Sequence, residues 1–522
     1  MILHIILAVV LFLIPPGILL LVKAKIGSLG SDQFYHRLLI NQIELNDKKS
    51  VKHLANCVNE NIMSYPQLLH LIVARIGIEK SHIFLPLLLV FVSVSQASLL
   101  SYLIWKTTSL YNLDTYTYLE YIIYSALIFV TIPYSLNLSN AKNTGISARG
   151  IGLLFGQALA VLFFLYLDSN NFYYLIGASL VGYLIITLSQ FANQFHVLFS
   201  IILALTSSRF ELLLSPLFST LLAFIITPNL AFLYYKGQFL HKSLYYKYMA
   251  QAYLLKHRKS IWLDWITEFP KIVWEIFKNP ISIKWKLKYI QGNALAIFLF
   301  EFWLLPIYII LTILNPQPLT TVDYLIISGI ILFIATTLKF TRFLGEPERY
   351  LEFIIPFAIV SLLKFLPDNK LIILTPCIIA ALVIFIKTFS ILRNQKLIKK
   401  DVNEVTLFKD YLISTSGKET PTILTNSTNL NKFLFSPLIS IYYFCTYLHS
   451  NDGFHFNEIF KKDYYYLSNE SFLKVFRKYQ NFNYLLIDEG FMPNSKSYLT
   501  NNNIVVTKVL TNKKLILYKV VR

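Results

Sequence analysis

Between Gly30 and His70 the chain gathers the side chains best suited to chemistry at a membrane edge. Asp32 and His36 stand four residues apart, so a helical segment places both on one face. Farther on, Ser64-Tyr65-Pro66-Gln67-Leu68-Leu69-His70 carries a second imidazole one turn beyond Pro66, which is placed to open a helix. Asp32 follows an apolar run closely, which brings its carboxylate near the membrane surface. Partial desolvation there raises a carboxyl pKa and suits the group to accept a proton from a hydroxyl nucleophile. The same residues also fit a plainer role, since Ser31 and Asp32 ahead of an apolar-periodic stretch form a helix start signal. The imidazoles could orient phosphate, bind a metal or present a polar tip at the interface. His36, His53, His70 and His82 lack the tight spacing of a zinc site. Cys57, Cys377 and Cys445 have no short spacing either, which excludes a zinc cluster and a disulfide framework.

The elements that must hold these residues are membrane spans. Of 522 residues, 55% are hydrophobic and 14% charged, with a mean hydropathy of +0.55. A soluble domain is nearer one quarter charged, so the expectation is a mostly α, polytopic integral membrane protein. The net charge of +19 would suggest nucleic acid in a soluble chain. Here Lys and Arg are loop charges facing phospholipid headgroups or an anionic lipid-linked substrate, and no nucleic-acid partner is expected.

The first apolar run, about 2–22, is interrupted by Pro15-Pro16 and has no basic region before it, which reads as an uncleaved helix. Further runs lie near 83–105, 119–136, 151–167, 172–190, 194–208, 211–235, 293–314, 322–340, 351–366 and 371–391. By a span length of roughly 20 residues these predict about eleven transmembrane helices. A transmembrane domain over 1–399 is expected, with a long first outer loop at 24–82 bearing amphipathic helices. Its basic, Trp- and Tyr-rich interval at 236–292 has the composition of helices lying in the interface plane. Residues 400–522 alternate short β-rich runs at 422–424, 484–487, 504–506 and 515–518 with a helical pattern at 471–479. They predict a small soluble α/β domain. Within it, Asp488-Glu489-Gly490 at a strand exit is either a site or turn chemistry. Eleven spans with a cytoplasmic amino terminus put the Asp32 loop, the basic interval and the tail outside, against the tendency of Lys and Arg to remain in the cytoplasm.

An acid in the first outer loop, followed by a Tyr-Pro-x-Leu-x-His type segment before the second span, resembles the GT-C superfamily of integral-membrane glycosyltransferases. These enzymes use sugars linked to polyprenyl phosphate. A second match, Gly345-Glu346-Pro347-Glu348-Arg349-Tyr350 followed by Pro356, is similar to the Arg-Tyr-x-x-x-x-Pro pattern many of them carry at a late helix start. The resemblance implies that Asp32 is the general base and that His36, Tyr65, His70, Arg349 and Tyr350 line the substrate cavity. Arg349 then offers forked donors to the lipid phosphate. Taken by itself, Arg349 also suits an interfacial anchor or a partner for Glu346 or Glu348. The first loop lacks the paired acids of some members, and the tail lacks the Trp-Trp-Asp-Tyr-Gly signature of the metal-using oligosaccharyl transferases. The implied reaction is therefore inverting and metal-independent, with no cofactor beyond the lipid-linked sugar and with membrane lipids as partners. The implied location is the cytoplasmic membrane of a bacterium, multi-pass, with the site facing outward and a role in envelope assembly. Two readings from other classes stay open: an O-antigen-type polymerase, which more often carries its long loop late, between spans, than as a folded tail, and a transporter or flippase without chemistry. A transporter more often shows internal symmetry and charge at the bilayer midplane.

Overall fold

The fold is given by a computed structural model. It describes residues 2–26, 31–54, 57–58, 61–77, 81–110, 115–132, 148–244, 246, 274, 294–338, 341–344, 347–393, 395–415, 420–427, 430, 434, 436, 438–442, 448–450, 458–459 and 467–521, with some helix side chains, Asp32's among them, excepted. Most of the basic interval 236–292, together with Gly345, Glu346 and Cys445, lies outside the described residues. The chain divides into two compact units. One comprises Met1–Ala24, Ile83–Asn143 and Ala148–Ser390; the other comprises Lys25–His82, Thr144–Ser147 and Ile391–Arg522.

In chain order the principal elements begin with α1 (Ile2–Ile26), α2 (Ser31–Leu45), β1 (Asn61–Met63) and α3 (Leu68–Ile76). There follow α4 (Ser81–Leu110), α5 (Thr115–Val130), α6 (Ala148–Ser169), α7 (Tyr173–Leu188) and α8 (Gln190–Ser207). Next come α9 (Leu214–Ile226), α10 (Pro228–Leu244), α11 (Leu304–Leu314), α12 (Thr321–Thr337), α13 (Ile355–Leu363) and α14 (Leu366–Arg393). The tail contains α15 (Gln395–Thr415), β2 (Thr422–Thr425), β3 (Ser440–Ile441), β4 (Leu448–Ser450) and α16 (Asn469–Tyr479). It closes with β5 (Tyr484–Asp488), α17 (Ser495–Asn501), β6 (Val506–Asn512) and β7 (Leu515–Val520).

The described residues of the first unit form helices and the turns between them. Among the described residues, three helical stretches are long and apolar enough to cross a membrane: Leu87–Thr107, Ala148–Ser169 and Leu366–Ile386. Five shorter apolar helices accompany them. The expectation of about eleven full spans is thus corrected, because several apolar runs are broken into shorter helices. Pro228, which has no N–H to continue a ladder, starts α10 and divides the run 211–235. The run 351–366 yields α13, nine residues that are all buried. A helix apolar all round belongs in the middle of a bundle, and α13 packs against α5, α11 and α12.

Polar knots tie these helices together. Asp323 caps α12 in a reciprocal box with Thr320. The Asp323 carboxylate also accepts from Tyr308 of α11 at 2.9 Å and Ser361 of α13 at 3.0 Å, with Lys364 Nζ 3.5 Å away. A buried carboxylate needs this many donors to offset its desolvation. On the other side, His196 of α8 lies 3.0 Å from Ser215 Oγ of α9, while Ser219 donates to the Ser179 carbonyl of α7. Gly182 lets them approach: a Cβ there would stand 2.2 Å from Ser219 Oγ.

The second unit holds a five-stranded sheet of order β3-β2-β5-β7-β6. Strands β3, β2 and β5 run parallel, and β7 and β6 complete the sheet antiparallel. Residues 484–487 of β5 are buried, as a central strand's unbroken apolar run requires. The small carboxyl-terminal sheet expected from the β-rich runs is present. The same unit takes in the loop after α1, because β1 pairs antiparallel with β4 and Cys57 bridges to Ile441.

Candidate functional site

In the second unit α2 packs against α3, and Leu38, Leu39, Ile43, Leu69 and Val73 on these helices are all buried. At this junction His36 Nδ1 lies 2.8 Å from His70 Nε2, with the rings stacked at 5.0 Å. Tyr65 sets its ring edgewise to both, at 5.6 Å from His36 and 5.8 Å from His70. His36, Tyr65 and His70 are therefore brought together, all buried. An imidazole pair at this distance needs one ring to donate and the other to accept, so it holds at most one extra proton before the bond breaks. Burial holds His70 well below the usual imidazole range, and the neighbouring His36 lowers it further, against the favourable Pro66 carbonyl. Asp32 stands in the first turn of α2, four residues before His36; its side chain lies outside the described residues.

Gln67 explains the shape of this loop. Its side chain accepts from Val51 N at 2.9 Å and donates to Val51 O at 2.7 Å, closing a sixteen-residue excursion. Amide pairing satisfies both backbone groups of a buried residue that lies outside the described strands. The Asp488-Glu489-Gly490 exit is occupied by turn bonds: Asp488 Oδ1 accepts from Gly490 N at 2.9 Å, and the Asn426 side chain pairs with both backbone groups of Asp488.

In the first unit a cleft is lined by Arg149, Gly152, Ser189, Phe191, Arg349, Glu352 and Phe353. Arg149 comes from the first turn of α6, and Phe191 from the first turn of α8. Ser189 caps α8, its hydroxyl accepting from Ala192 N. Helix amino termini carry unsatisfied N–H groups and partial positive charge. Residues from the starts of two helices, two arginines and the acid Glu352 thus line one cleft. The Arg349 guanidinium lies over the Phe191 ring at 5.6 Å. An arrangement of this kind is suited to a phosphate or carboxylate.

Close packing creates the cleft. A Cβ on Gly152 would stand 2.6 Å from Ser189 Cβ, and one on Gly156 would stand 2.2 Å from the Phe353 ring. These two glycines let α6 approach both the start of α8 and the segment carrying Arg349. The described residues of that segment, 342–344 and 347–354, form single turns. Two buried glutamines bond to it. Gln194 donates to the Leu344 carbonyl at 2.7 Å and to the Tyr350 hydroxyl at 2.6 Å. Gln157 donates to the Glu352 carbonyl at 3.0 Å. Tyr350 is itself fully buried, its hydroxyl engaged by Gln194 and the Leu344 carbonyl.

Sequence reasoning singled out Arg349 but missed Arg149, Gln157 and Gln194. The pointers were present: Gly152 and Gly156 have the spacing of a close helix contact in an apolar run, and an amide inside such a run needs a partner. Among the described residues no three metal-ligating side chains converge. No protein-family model and no curated protein matches the chain.

Proposed function

We propose that this chain is an integral membrane glycosyltransferase that moves a sugar from a polyprenyl phosphate to an extracytoplasmic acceptor in envelope assembly. The observation that carries the reading is the cleft at Arg349. Two arginines lining one cleft beside two helix starts suit a group that gains negative charge on leaving, as a lipid phosphate does. In the reaction, an acceptor hydroxyl oxygen bonds to the anomeric carbon as the bond from that carbon to the phosphate oxygen breaks. The electron pair departs with the phosphate, and the hydroxyl proton passes to a base; the resemblance gives that role to Asp32, which belongs to the second unit, whereas the cleft belongs to the first. No metal or cofactor enters this scheme. The strand pairing between the loop bearing Asp32 and the tail supports a reading in which both lie on the outer side of the membrane.

The test is transfer from a labelled polyprenyl-phosphate sugar. Asp32→Asn is expected to abolish transfer while expression and membrane insertion persist; ordinary activity in that variant removes the base assignment. A diphosphate-linked repeat unit turned over in place of the monophosphate would identify a polymerase, and movement of lipid without release of sugar would identify a flippase.

A further inference from the structure

We infer that Gln157 and Gln194 are positioning residues for Arg349, gripping the backbone on either side of it and thereby setting the affinity of the cleft for the phosphate of a polyprenyl phosphate. The inference rests on the phosphate reading of the cleft and adds the device that holds it in shape.

A continuous helix satisfies its own carbonyls. The described residues here, the turn Arg342–Leu344 and residues 347–354, form short turns, so their carbonyls take donors from elsewhere. They come from two different helices. Gln194 of α8 reaches Leu344 O at 2.7 Å, before Arg349, and the Tyr350 hydroxyl at 2.6 Å, directly after it. Gln157 of α6 reaches Glu352 O at 3.0 Å. Its own carbonyl oxygen accepts from Gln96 of α4 at 3.0 Å, so its amide is oriented in turn. Burying an amide among apolar helices costs free energy unless it is bonded. Here both glutamines place their donors on main-chain carbonyls, which fix backbone position independently of neighbouring side chains. Phe353 adds a stop, its ring stacked on Phe195 at 3.9 Å between centroids and pressed against Gly156. The backbone of Arg349 is thus held from both sides, and its guanidinium is held over Phe191. A bidentate donor binds phosphate well when its fork is fixed and loses affinity when its backbone drifts by about 1 Å.

The experiment titrates the purified full chain in detergent with a polyprenyl monophosphate, using the uncharged polyprenol as the comparison ligand. Folding is monitored by thermal unfolding, and exposure of Arg349 by its rate of phenylglyoxal modification. Gln157→Leu and Gln194→Leu are each expected to weaken monophosphate binding about tenfold, leave polyprenol binding unchanged and speed modification of Arg349. Tyr350→Phe, which removes one hydroxyl with little change in volume, is expected to weaken binding about threefold and serves if either leucine variant fails to fold. Wild-type affinity in the folded glutamine and Tyr350 variants, with Arg349→Ala impaired, overturns the positioning role and leaves the phosphate reading standing. Wild-type affinity in Arg349→Ala overturns both.

Discussion

Arg349 shows how much one side chain's role depends on its surroundings. Read in the chain it suits an interfacial anchor, a partner for a glutamate or a ligand for phosphate. The structure places it over Phe191 in a cleft shared with Arg149. Arg349→Lys keeps the charge but loses the planar fork and the stacking. It is expected to weaken polyprenyl monophosphate binding by about tenfold in direct titration, with Arg149→Ala weakened to a similar extent. The His36–His70 pair gives a pH prediction of definite sign. His70 is held neutral when folded, whereas the unfolded ring takes a proton near the ordinary imidazole range. Below about pH 6.5 the unfolded state therefore binds more protons, and stability is lost as pH falls, by at most about 1.4 kcal/mol per pH unit for one proton. Among the described residues, His36 and Tyr65 are the titratable groups in ring contact with His70. Thermal unfolding between pH 7.5 and 5 is expected to show a steeper acid loss in the wild type than in His70→Gln; equal slopes would remove the assignment.

At the scale of elements, strong periodicity was legible and interruptions were not. The strands at 422–425, 484–488 and 515–520 and the helix Asn469–Tyr479 lie where β-rich runs and a helical pattern put them. The strand β3, two residues long, gives no such signal. Counting apolar runs overestimated full spans because a run does not reveal where a helix breaks: Pro228 divides one, and a string of single turns precedes α13. Nearness in space was equally hidden, which is why Arg349 was found and Arg149, 200 positions earlier, was not. Gly156 offers a test of the close approach that joins them. Gly156→Ala drives a methyl group into the Phe353 ring and is expected to destabilise the first unit by about 1–3 kcal/mol. A thermal midpoint equal to wild type would show that α6 does not need this contact. Gln67→Leu leaves both backbone groups of Val51 unpaired, so faster hydrogen exchange at the Val51 amide is expected.

For the whole molecule, the pairing of β1 with β4 joins residues 61–63 to residues 448–450 within the second unit. In the topology proposed above, both lie on one face of the membrane. Cysteines introduced at Lys52 and Ser497, in a background without native cysteines, are expected to label with a membrane-impermeant maleimide from the same outer face. Labelling from opposite faces would break the strand pairing and the topology together. The most direct measurement is transfer itself, made in membranes that carry the chain and the native acceptor, with a labelled polyprenyl-phosphate sugar as donor. The account predicts label moving to a product and polyprenyl phosphate released, with Asp32→Asn and Arg349→Ala each slowed at least about a hundredfold. Label that stays on the lipid in wild-type membranes, or moves equally well in both variants, would contradict it.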